Sequence, residues 1–193
     1  MLPRRLALWM LLLISAFFAG LLPAHAARVA SAPGVALKQS DMSSGFKQAL
    51  ARAISISSFA HDYGVSASTA TSKGLVTGYE TRFGRPGTTT TGVLNVDDQA
   101  YAFRSSGGAR WAYKVMLATT GSGRPVTIGR VGDQNNSFVY VQKSKGLSIG
   151  AFVILFRRGA YMGLLAGTGV IGRFKTSDIL HFAQIMDSRM QRG

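Results

Sequence analysis

The chain opens on an export signal, and that opening decides what the remainder has to fold with. Arg4 and Arg5 give a positive start, Leu6 to Phe18 is apolar apart from Ser15, and Gly20 and Pro23 loosen the run before Ala24-His25-Ala26. A charged start, an apolar stretch and a small-x-small triplet in that order make a secretory signal peptide, cut here before Ala27. The alternative is an uncleaved membrane anchor, since Leu6 to Leu22 approaches the roughly 20 apolar residues that a span needs. No cysteine is present. Lipid attachment through a cysteine is therefore excluded, and an exported chain without disulfides must stand on its hydrophobic core alone.

About 167 residues follow the signal, a length that suits one domain and needs neither metal nor disulfide as a staple. The expected layout is a signal peptide over 1–26, a flexible leader over 27–36 containing Pro33 and Gly34, and a single α+β domain over 37–193. The formal net charge of +14 falls by two, to +12, once Arg4 and Arg5 leave with the signal. Such an excess favours anionic partners. In the extracytoplasmic space these are lipid headgroups, wall polymers or acidic glycans; export removes nucleic acid from the expectation. Contact with the membrane through the N-terminal segment is expected only if that segment is retained.

Hydrophobic periodicity outlines the elements. Phe46, Ala49, Leu50 and Ala53 recur at helical spacing, so the local pattern over 45–56 favours an amphipathic helix. Whether it continues into a short helix over Phe59 to Tyr63, closed by Gly64, is left open by the residues. Gly74 to Phe83 alternates every second residue, as a half-buried strand does. Val93 to Arg104 reads as a second strand, interrupted at Asp97-Asp98 because Asp is depleted from strand interiors. Ser105-Ser106 caps a helix through Leu117. Val126 to Val131, Phe138 to Lys143, Ile149 to Phe156 and Ala160 to Ala166 supply four more strands, the third apolar on both faces and so doubly covered. A last helix from Thr176 carries the stripe Ile179, Phe182, Ala183, Met186 and Met190. The fold expected is α+β: one antiparallel sheet of about five to six strands with two or three helices packed on it, preceded by the signal-peptide helix.

Several short motifs imitate chemistry. Gly146-Leu147-Ser148-Ile149-Gly150 spells a nucleophile elbow, followed in chain order by Asp178 and His181. An elbow needs a sharp strand-to-helix turn, whereas these glycines lie between two strands. Gly167-Thr168-Gly169-Val170-Ile171-Gly172 spells a dinucleotide loop, but neither a second strand nor an acidic residue about 20 positions later follows. Ser44-Gly45-Phe46-Lys47 and Lys175-Thr176-Ser177 match fragments of a penicillin-binding pattern without its middle element. His61 and His181 lack the three or four ligands of a zinc site. Glu80 shares a strand face with Arg82 and reads as half of a cross-strand ion pair, with Arg104 as a candidate partner. No catalytic, cofactor or metal residue is therefore assigned. The candidate anion contacts are Lys143, Lys145, Arg157, Arg158, Arg124 and Arg130, with the first two and the next two at opposite ends of the central strand.

Gly74-Leu75-Val76-Thr77-Gly78-Tyr79-Glu80, Phe103-Arg104-Ser105-Ser106-Gly107-Gly108-Ala109 and Phe156-Arg157-Arg158-Gly159-Ala160, with the Ala183-to-Arg189 helix, resemble small exported bacterial α+β domains. More distantly they are similar to PsbP/Mog1-like domains. The resemblance implies an antiparallel sheet with helices on it and a non-enzymatic accessory or binding role. The functional expectation is thus an exported binding module of the envelope or extracellular space. Its alternatives are a peripheral protein held by charge to lipids or wall polymers, and a small hydrolase using Ser148.

Overall fold

Residues 31–85, 92–144 and 147–193 are described in the computed structural model, without the side chains of 143, 144 and 147. The expected signal peptide with its expected cleavage site, and Lys145, lie outside the described residues. In chain order the elements are helix α1 (Ala32–Val35), a single 3-10 turn (Gln39–Asp41), strand β1 (Lys47–Ile54), helices α2 (Ile56–Asp62) and α3 (Ala67–Ser72), and strands β2 (Leu75–Gly84) and β3 (Val93–Phe103). Helix α4 (Ser106–Thr120), strands β4 (Arg124–Pro125), β5 (Gln134–Ser144), β6 (Leu147–Arg158) and β7 (Tyr161–Val170), and helix α5 (Thr176–Arg192) complete the order.

All seven strands join one sheet in the order β1-β2-β3-β7-β6-β5-β4. Every neighbouring pair runs antiparallel. Alternation along the strands sends Phe83, Val96, Ala100, Ile154, Phe156 and Leu165 to one face, where α1 and α5 cover them. It sends Leu75, Tyr101, Phe103, Leu155 and Met162 to the other, under α2, α3 and α4. Helices on both faces give each interior strand two apolar sides, and fully burying one Phe or Leu side chain stabilises by roughly 1.5–3 kcal/mol. Among the described residues no helix is long and apolar enough to cross a membrane.

The count of five to six strands with two or three helices is corrected by this architecture, which has seven strands and five α-helices among the described residues. The largest revision is at residues 45–56. Their helical spacing loses to pairing with β2, and β1 is an edge strand exposed along most of its length. With no buried face to satisfy, alternation was never required there. Asp97 and Asp98 do not interrupt β3, because Asp98 finds hydrogen-bond partners inside the sheet layer. Val126 to Val131 forms no strand. It is tied instead by single bonds, Val126 N–H to the Ser137 carbonyl at 3.0 Å and Val131 N–H to Asn135 Oδ1 at 3.3 Å. Leu75 leaves the face of Thr77 and Phe83, since the register shifts between Leu75 and Thr77.

The stretch expected as a flexible leader is core from Ala32 onward. Ala32, Val35, Ala36 and Leu37 are at most 3% exposed. This N-terminal strap crosses β2 and β3 beneath α5. Ala32 N–H donates to Thr77 Oγ1 at 3.0 Å, Leu37 N–H to Asp98 Oδ2 at 3.3 Å, and Arg189 donates to the Ala36 carbonyl at 2.7 Å.

The Gly167-to-Gly172 motif has a packing explanation. A Cβ at Gly167 would lie 1.8 Å from Ile179 Cδ1, and one at Gly169 would lie 2.7 Å from Phe174 Cδ1. The absence of a side chain at these two positions of β7 lets α5 and its leading turn approach the sheet.

Candidate functional site at one end of the sheet

The register carries a row of strand ends to one side of the molecule. Lys47 pairs with Gly84, Gly84 with Asn95, Asn95 with Thr168, and Gly169 with Gly150, which pairs with Val141. This end therefore holds the start of β1, the start of β6, the ends of β2, β5 and β7, and the turn into α5. Lys47, Arg173 and Lys175 stand exposed there, and β5 brings Lys143 to the same level. The turn is held in place by Ile171 N–H on the Ser148 carbonyl at 2.8 Å and Gly92 N–H on the Arg173 carbonyl at 2.7 Å.

Beside this row an open groove of about 500 Å³ runs between the 3-10 turn, the β2 end and the first turn of α5. Phe46, Met42, Val93 and Phe182 form its apolar floor, and Ser43, Arg85, Asp178 and His181 its polar margin. The Arg85 guanidinium lies over the Phe46 ring at 5.2 Å. Both acids of the groove already have structural work. Asp41 pairs with Arg189 at 2.7 Å, and the Asp178 carboxylate accepts the Lys175 N–H at 3.0 Å.

Three large apolar side chains are exposed among the described residues: Val141 at 54%, Ile149 at 39% and Ile171 at 37%. All three lie at this same end. Val141 and Ile171 flank Gly150, where a Cβ would come within 2.1 Å of Ile171 Cδ1. Ile149, one residue away, faces the other side of the sheet between Gln142 and Val170.

The five candidate anion contacts among the described residues are not gathered. Lys143 is opposite Ser148 near the start of β6, and Arg157 and Arg158 close the same strand about 30 Å away at a rise of ~3.3 Å per residue. Arg157 contacts Asp133 at 3.3 Å. Arg158 grips Asp187 of α5 through two hydrogen bonds and also reaches Asp133 at 3.6 Å. These bonds raise the Arg158 pKa and direct its charge inward. Arg124 lies in β4 opposite Val139 on the far edge, and Arg130 in the exposed connection before β5.

The residues of the imitated motifs have local roles. Ser148 sits in β6 opposite Lys143, within a hairpin and not at a strand-to-helix turn. Glu80 makes its main ion pair with Arg52 at 2.8 Å, with Arg82 at 3.7 Å; Arg104 is not its partner. His61 is exposed on α2. Among the described residues no three His, Cys, Asp or Glu side chains are grouped to hold a metal ion.

The most perturbed acid among the described residues is Asp98, which the sequence pattern marks only as a break in β3. Asp98 is fully buried, and its pKa is pushed up to about 7, chiefly by desolvation, against the lowering effect of hydrogen bonds from Thr81 and Leu37. Tyr63 is pushed up to about 12, also by burial, beside Tyr101 in an aromatic cluster with Phe59. Two adjacent acids inside an otherwise well-patterned strand were the available signal for Asp98.

No protein-family model matches the chain, and no curated protein is significantly similar to it. One solved structure that resembles it is the extracellular domain of PknH from Mycobacterium tuberculosis, at a TM-score of 0.52 and 10% identity. The match covers 83% of this chain and 95% of that one. The likeness is one of fold. It agrees with the resemblance to small bacterial domains of this build and does not carry the PsbP/Mog1 likeness with it.

Proposed function

We propose that the protein is an exported, non-enzymatic binding module that meets an anionic envelope component with the end of its sheet. The observation that carries this reading is that Lys47, Lys143, Arg173 and Lys175 all lie at one end of the sheet, spread along it from β1 to β5 and the turn into α5, where the nearby acids Asp41 and Asp178 are already engaged. Removal of the signal near Ala26 would leave the molecule free outside the cytoplasm, and the fold of an extracellular domain suits that location. The overall positive charge would draw the protein towards anionic surfaces, and the local row would set its orientation.

The test is retention on polyphosphate and on phosphatidylglycerol vesicles at 20 mM and 500 mM salt. Binding is expected to fall steeply with salt, because the Debye length shrinks from about 10 Å at 0.1 M to about 3 Å at 1 M. Arg173→Gln with Lys175→Gln should weaken binding to both supports. Retention that ignores salt would remove the electrostatic reading.

A further inference from the structure

We infer that the anionic partner is a lipid bilayer, into whose interfacial region Val141, Ile149 and Ile171 insert from the corner of the sheet. This rests on the proposed reading of the basic end and narrows it. Basic side chains are spread over much of the molecule, but exposed large apolar side chains, among the described residues, coincide with them at this end alone.

The arrangement suits a bilayer for two physical reasons. First, Val141 and Ile171 lie on one face of the sheet and Ile149 on the other, so the corner is apolar on both sides like a wedge. A soluble polyanion offers no apolar phase to receive such a wedge, whereas the headgroup–acyl boundary surrounds it. Second, Arg173 and Lys175, both exposed, follow Ile171 by two and four residues in the chain, so cations border the aliphatic corner. Cations just above a buried apolar tip meet anionic headgroups at the depth where those headgroups lie. Gly150 keeps the wedge thin, since a side chain there would displace Ile171.

The experiment uses residues 27–193, which contain the whole described core, with vesicles of phosphatidylcholine alone or mixed with phosphatidylglycerol, and polyphosphate as the soluble anion. The variant Val141→Ser/Ile149→Ser/Ile171→Ser should lower the partition onto phosphatidylglycerol vesicles by about tenfold or more while leaving polyphosphate binding unchanged. Independently, Ile149→Trp should show blue-shifted emission and quenching by brominated acyl chains on anionic vesicles. Equal vesicle binding by the triple-serine protein, or no quenching of the bound tryptophan variant, would overturn insertion while the anionic reading stands. Failure to bind either polyphosphate or vesicles at low salt would remove both. Should the triple variant not fold, the tryptophan measurement decides alone.

Discussion

The Asp98 carboxylate accepts the Leu37 backbone N–H at 3.3 Å with no exposure to solvent, so the N-terminal strap is latched to the sheet by a buried acid. Thr81 donates its hydroxyl to the same carboxylate, and Arg189 holds the strap from above through the Ala36 carbonyl.

That latch makes stability depend on pH in a defined direction. Asp98 is raised from 3.8 to about 7, chiefly by desolvation, so the folded protein holds its proton where the unfolded chain has released it. A raised carboxyl contributes stability in full below about pH 4 and loses it as pH rises to about 7, by up to roughly 4 kcal/mol. The thermal midpoint, corrected for other acids by comparison with Asp98→Asn, should fall across this window. The Asn variant is expected to show a shallower slope and to match or exceed the parent at pH 8. Parallel profiles for the two proteins would exclude Asp98 as the cause.

Gly108 and Gly107 separate packing from helix propensity. By propensity alone both should gain up to about 1 kcal/mol as alanine. A Cβ at Gly108, however, would lie 2.1 Å from the Lys73 carbonyl oxygen, while at Gly107 its nearest neighbour is Ser105 Oγ at 3.6 Å. Gly108→Ala should therefore lose about 1–3 kcal/mol in urea unfolding. Gly107→Ala should be neutral or slightly stabilising.

Arg158 gives a test of structural against anion-binding work. Its hydrogen bond to Asp187 at 2.7 Å, with a second one beside it, fastens the end of β6 to α5. Asp187→Ala and Arg158→Ala should each cost about 1–3 kcal/mol, and a double-mutant cycle should show that they share most of that cost. Polyphosphate binding by folded Arg158→Ala should change little, in contrast to the Arg173 and Lys175 variants.

Ser148 is expected to be chemically ordinary. It lies in a ladder position opposite Lys143. A fluorophosphonate probe should leave the native protein unlabelled; stoichiometric labelling lost in Ser148→Ala would instead establish a nucleophile.

What the residues disclosed depended on whether a side chain had to choose a face. α4 and α5 each bury one side, so the Ile179-to-Met190 stripe was legible, and in β2 the alternation held from Thr77 to Phe83 while Leu75 crossed to the other face. β1 buries almost nothing, and Ala49, Leu50 and Ala53 therefore fell into a helical rhythm with the buried Phe46 before them without penalty. Val126 and Ile128 imitate a strand, yet only isolated bonds hold that segment. The candidate site was half legible. Total charge and Lys143 were visible, but the row of Lys47, Lys143, Arg173 and Lys175 exists only through strand order. That order is set by long-range pairing and leaves no local mark.

The strap also fixes which way the molecule looks. Ser31 lies beside Tyr161 and Gly193 near the β6–β7 turn, whereas Ile149 is opposite Val170, about 30 Å further along β7 at ~3.3 Å per residue. In a retained anchor, the eight residues between Leu22, the end of the apolar run, and Ser31 reach at most about 29 Å. A chain held at the membrane by its first residues would point the aliphatic corner outward, like a flag on a short pole. A released chain is free of that tether and can turn over to set the corner on the surface it left. Signal cleavage would then act as an orientation switch as well as a release.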